Sequence, residues 1–132
     1  MKLRFYLLIC ILALPRFALA EQDQAEREIQ YLLQYVQHSG CDFNRNGSAH
    51  ESADAADHLR LKYKRGKRYA DSAENFIDRL ASESSWTGET YTVTCAGATR
   101  PSGEWLHQAL DNYRSGLSQA KSAVHVPPTP EH

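Results

Sequence analysis

The chain has 132 residues, with 15 Lys and Arg against 16 Asp and Glu, 42% hydrophobic residues and three cysteines. That length makes one small domain around a single core. The near-neutral balance lacks the basic excess that nucleic acid or an anionic membrane surface would require, so neither is expected as a partner.

Lys2 and Arg4 precede an unbroken apolar run, Phe5 to Leu14, which Pro15 ends; Ala18-Leu19-Ala20 then offers an A-x-A cleavage site. A run this short falls well below the roughly 20 residues that span a bilayer. The pattern predicts a cleaved leader over 1–20, a periplasmic or secreted product, and no membrane span afterwards. Cys10 leaves with the leader. Loss of Lys2, Arg4 and Arg16 reduces the 15 basic residues to 12 against 16 acidic, a formal charge of −4.

Residues 21–39 carry apolar side chains at Ala25, Ile29, Leu32, Leu33 and Val36, the helical period, with acid in the front half, His38 near the end and Gly40 as a stop. Tyr31 and Tyr35 edge the stripe. Cys41 and the turn Asn44-Arg45-Asn46-Gly47 follow. Ser48-Ala49-His50-Glu51 reads as a capping box opening a second helix, Ala49 to about Lys64, with Ala53, Ala56, Leu59 and Tyr63 inward. Gly66 ends it.

A third helix, capped by Asp71-Ser72-Ala73-Glu74, presents Ala73, Phe76, Ile77, Leu80 and Ala81. After a polar loop through Trp86, Thr90 to Cys95 alternates as a strand. Its partner is left open between the segment around Asp42-Phe43-Asn44 and a return after Gly97. A last helix begins at Pro101-Ser102-Gly103-Glu104, packs Trp105, Leu106, Ala109, Leu110 and Tyr113, and stops at Gly116; 117–132 reads as a flexible tail. No internal repeat is visible. The expected fold is mainly α, three to four packed helices with a small β element near 89–95, in a single domain over 21–116.

After leader removal Cys41 and Cys95 remain. In an oxidising compartment they are expected to pair, which stabilises by roughly 3–4 kcal/mol in the chain-entropy account. A redox-active pair would more commonly be spaced C-x-x-C, and none is present.

Four stretches, Phe43–His50 (F-N-R-N-G-S-A-H), His58–Lys62 (H-L-R-L-K), Ala73–Ser85 (A-E-N-F-I-D-R-L-A-S-E-S-S) and Thr87–Val93 (T-G-E-T-Y-T-V), occur in order and resemble the YfeK-like family of small exported bacterial proteins. The resemblance covers about 43–95 and leaves the two cysteines and the C-terminal tail as departures. It implies export from a bacterium and supplies no activity, since the family is one of unknown function.

Candidate chemistry is sparse. His50, Asp54 and His58 at i, i+4 and i+8 would ladder along one side of a second helix. An Asp–His pair can bind a metal, but His50 and His58 would stand about 12 Å apart along the axis, so a third ligand such as His107 would be needed. A serine-hydrolase reading would take Ser84 or Ser85 with His58 and Asp54 or Asp57, without a G-x-S-x-G elbow. No cofactor motif occurs, and no cofactor is expected. The leading reading is a non-enzymatic periplasmic binding or interaction protein, its partner an envelope protein or an anionic or peptide ligand. The alternative is a metal-dependent or hydrolytic enzyme on the His50/Asp54/His58 side. The favoured binding site is Arg45, Asn46 and Gly47 at the start of the second helix, with Ser84, Ser85 and Trp86 closing over it. Two structural alternatives compete: Arg45 pairing with Glu74 or Glu83, and Trp86 folding back onto the core.

Overall fold

The computed structural model describes residues 16–124. Helix α1 (Arg16–His38) leads into strands β1 (Asp42–Arg45) and β2 (Ser48–His50), and helix α2 (Ser52–Gly66) follows. Helix α3 (Ala73–Phe76) widens without a break into a π turn over Ile77–Ala81. Strands β3 (Thr92–Cys95) and β4 (Ala98–Pro101) then lead into α4 (Ser102–Val124). The expected cleavage site after Ala20 lies within the first turns of α1. Phe17 and Leu19 there are exposed, and the buried stripe begins at Ala25.

The fold is mixed rather than mainly α, because the β element is a four-stranded antiparallel sheet of order β2-β1-β3-β4. Both partners considered for Thr90–Cys95 are used. β3 pairs with β1 through Phe43 opposite Val93, and with β4 through Thr94 opposite Thr99. Ser48–His50, expected to cap α2, instead forms the return strand of a hairpin. Asn46-Gly47, both at positive φ (50° and 78°), is the two-residue turn whose twist matches paired strands. The helix therefore starts later, at Ser52, with Glu51 as a cap that makes no side-chain bond. This shift turns Ala55 inward and leaves the expected Ala53 exposed.

The chain is built twice. A hairpin followed by a helix occurs at 42–66 and again from 92, so that each position maps onto the one 50 further on: Asp42 onto Thr92, Gly47 onto Gly97, Ser52 onto Ser102. Both turns place two residues at positive φ, Ala96-Gly97 repeating Asn46-Gly47. Ser52 and Ser102 each tie the start of their helix to the end of the preceding one, Oγ donating to Gln37 O at 3.1 Å and to Ala81 O at 3.0 Å. The side chains differ almost everywhere else, which is why the repeat is invisible by eye.

Ile29, Leu32, Leu33 and Val36 of α1 meet Phe76, Ile77, Leu106 and Leu110, all essentially inaccessible, with the Phe43/Val93 pair closing the sheet side. Tyr31 and Tyr35 edge this core as expected, Tyr31 stacking on Tyr113 with ring centroids 4.1 Å apart. Cys41 and Cys95 are bonded across 54 residues and hold the exit of α1 to the sheet. Glu28, buried on α1, takes both prongs of Arg114 at 2.8 Å, and Arg114 also reaches Glu74, so α1, α3 and α4 share one ionic knot. Gly116 does not stop α4; it lies within the helix, which continues to Val124. The remainder of the expected tail, 125–132, falls outside the described residues, as does the whole apolar run Phe5 to Leu14.

Candidate functional site

Hairpin β1–β2, α2 and the loop after the π turn enclose a cleft of about 810 Å³. Its lining includes Arg45, Lys62, Arg65 and Arg79, and no carboxylate side chain. None of the four forms an ion pair among the described residues. The carboxylates proposed to neutralise Arg45 do not do so: Glu74 is taken by Arg114, and Glu83 makes no ion pair with Arg45. Trp86, Tyr69 and Leu61 stand on the wall, Trp86 at 98% exposure. Trp86 therefore does not fold onto the core. Its backbone N–H donates to Ser84 Oγ at 3.3 Å, which fixes the loop and leaves the indole in solvent.

The sequence brings five of its six proposed binding residues to this cleft: Arg45, Asn46, Ser84, Ser85 and Trp86. Gly47 forms the hairpin turn outside the lining. Their setting differs from expectation, because Arg45-Asn46-Gly47 belongs to a hairpin and no helix N-terminus lies there. The loop does meet the hairpin tip. Asn46 donates to Ser84 Oγ at 3.4 Å and accepts from Thr87 Oγ1 at 2.9 Å. Sequence reading missed Lys62, Arg65 and Arg79; Lys62 and Arg65 lie in a basic run, Lys62 to Arg68, of a kind that a helix C-terminus attracts for its own sake, and Arg79 carried no such signal.

Lys62 is half-buried in the wall of the cleft. Its Nζ bonds Glu83 O at 3.0 Å and Tyr91 Oη at 3.2 Å, and lies 4.9 Å from the centre of the Tyr91 ring. Burial, then the nearby Arg45 charge, pulls its pKa down to about 8. The same two causes, with Lys62 and His50 adding to them, lower His58 to about 4, so that imidazole is neutral at physiological pH.

Behind Arg45 a smaller cavity of about 40 Å³ opens, with Arg45, His58 and Tyr91 common to both spaces. His50, Asp54 and His58, the expected metal ladder, all line it, although His50 comes from β2 rather than from the helix. They do not form a set of three ligands close enough for one ion, and no such set occurs among the described residues. His107 is elsewhere, bonded to Asp78 at 2.7 Å. A serine nucleophile is equally unsupported by geometry: Ser84 Oγ is occupied by the N–H groups of Trp86 and Thr87 and by Asn46, and no histidine bonds it. No helix among the described residues is long and apolar enough to cross a membrane.

Comparison with known proteins agrees with the resemblance noted from the motifs. A family model described as a family of unknown function (DUF5329) matches residues 23–114. A curated protein of Salmonella typhimurium, described as uncharacterized protein YfeK, is 40% identical over 81 residues, covering 61% of this chain and 68% of that protein. No solved structure matches.

Proposed function

The chain belongs to the DUF5329 family, whose function is unknown; we propose that it is a non-enzymatic binding protein of the bacterial periplasm whose cleft holds an anionic ligand. The leader pattern at 1–20 supports the location. One observation carries the ligand class: four cations line one cleft without a carboxylate among them, in a chain whose overall charge is −1. Clustered like charges repel one another, and an anion offsets that cost. Guanidinium groups suit carboxylate and phosphate because their fork matches two oxygens. The exposed Trp86 on the same wall adds a broad apolar face of the kind that anchors ligands.

Trp86 also provides the measurement, since the other tryptophan, Trp105, is buried. Anionic and neutral probes of equal size are titrated while indole fluorescence is followed at low and at moderate salt. Binding confined to the anions, weakened by salt and by the double substitution Arg65→Gln and Arg79→Gln, is expected. Equal response to neutral probes, or none to any anion, would reject the reading. Capture of partners from envelope extract, with and without the same substitutions, extends the test to macromolecular ligands.

A further inference from the structure

Two residues that line the small cavity behind Arg45 each carry a polar atom for which the fold provides no partner. His50 Nε2 and His58 Nε2 are both shut off from solvent, and neither meets a hydrogen-bond partner. Buried polar groups are ordinarily paired, because an unmade bond gives up hydration for nothing. The doubled construction sharpens the point. Fifty positions on, His50 and His58 correspond to Arg100 and Gln108, and there the second unit closes the pair, Arg100 Nη1 donating to Gln108 Oε1 at 3.0 Å. The first unit leaves the same two positions open, beside a cavity.

Size and wall chemistry narrow what fits. A volume of about 40 Å³ corresponds to roughly three water positions, enough for a carboxylate with its adjoining carbon. Phe43, Ala55, Leu59 and Ala81 make much of the wall apolar, so an entering group sheds water, and a monoanion loses less hydration than a phosphate dianion does. Arg45 lines both the cavity and the cleft and offers a two-pronged clamp. Neutral imidazoles can donate from Nε2. The charged and titratable groups lining the cavity are Arg45, His50, His58, Tyr91 and Asp54, with Lys62 beside them on the cleft side. Asp54, the one carboxylate, is exposed, so water screens it.

We infer that the ligand is carboxylate-terminated, its carboxylate seated between Arg45, His50 and His58 and the rest of it lying along the outer cleft toward Trp86. This rests on the cleft being an anion site. A free small organic acid and the C-terminus of a peptide present the same chemistry.

The test follows the His50 and His58 ring resonances of the protein by NMR during titration with propionate, with trialanine, and with trialanine amide. Propionate and trialanine are expected to move both rings, and the amide to bind at least tenfold more weakly than the free acid. Equal affinity for propionate and trialanine would identify a small acid; tighter trialanine binding, with the Trp86 indole also moving, would identify a peptide end. Arg45→Gln is expected to cost at least tenfold; should that variant not fold, the acid-against-amide comparison on the unaltered chain decides. Anions that move the indole and are weakened by Arg65→Gln, with both imidazoles unmoved, would overturn this inference and leave the anion cleft standing. Imidazoles that respond to inorganic phosphate or to Zn²⁺ in preference to the acids would also overturn it. No response to any anion would overturn both readings.

Discussion

Arg45→Gln separates a binding residue from a structural one, and the sign of its effect on stability can be worked out in advance. Arg45 makes no ion pair among the described residues, so its removal breaks no charged contact there. It does relieve repulsion. Lys62 falls from 10.5 to about 8, with burial the larger cause and Arg45 the second. At about 1.36 kcal/mol per pH unit the whole drop is worth roughly 3 kcal/mol before screening, and Arg45 is the second of its causes. Lys62 is only half-buried, so water and salt reduce the Arg45 share to about 1 kcal/mol at most. The variant should therefore melt a few degrees higher at pH 7 and low salt, with a raised Lys62 pKa and lost anion affinity. The advantage should shrink in salt and fade as pH rises through 8 and beyond, because folded Lys62 then loses the charge that Arg45 repels. Thermal melting across pH and salt, with the Lys62 amine followed by NMR, measures all three quantities. A variant that melts well below the parent at every pH would refute the reasoning and make Arg45 a structural pin.

Anion affinity of the unaltered chain should decline as pH rises through about 8, since Lys62 then loses its charge; titrations from pH 6 to 9.5 check this, and a flat profile would remove Lys62 from the site. Arg114→Ala should cost about 3 kcal/mol by leaving the buried Glu28 carboxylate unpaired. Arg114 holds the Glu28 pKa low, so the difference from the parent should narrow in acid, where Glu28 can be protonated; denaturant melts at pH 7 and pH 4 read it. Replacing Cys41 and Cys95 together by Ser should cost about 4 kcal/mol, the loop entropy for a separation of 54 residues, while the four-stranded sheet persists by hydrogen exchange. Material exported by a bacterial host should have lost residues 1–20 by intact mass. Loss of Arg16–Ala20 with the leader should leave the melting of the domain unaffected, because Phe17 and Leu19 are exposed and the buried stripe begins at Ala25.

The sequence by itself determined whatever depends on spacing along the chain. The stripe from Ala25 to Val36, the Ala73–Ala81 face and the Trp105–Leu110 face are each set by a period of 3.6 residues, and all are buried as read. The alternation through Tyr91 and Val93 gave a strand for the same reason. The cysteine pair followed from the count once the leader pattern is taken as removed with Cys10. Tertiary structure decided whatever depends on pairing. Strands of three and four residues carry too little alternation to be seen alone, so Asn46-Gly47 read as a loop and Ser48 as a helix cap until β1 found β3 across the Phe43/Val93 pair. Packing also carried α4 through Gly116, whose backbone cost the flanking helical turns absorb. The site shows the same division. Arg45, Asn46 and Trp86 could be picked by residue type, whereas Lys62, Arg65 and Arg79 became part of it only when α2 and the π turn were folded against the hairpin. The two unpaired imidazoles were beyond any sequence reading, because a missing partner is a property of the assembled neighbourhood: the unit that contains Arg100 and Gln108 closes the same positions, and the unit that contains His50 and His58 leaves them open.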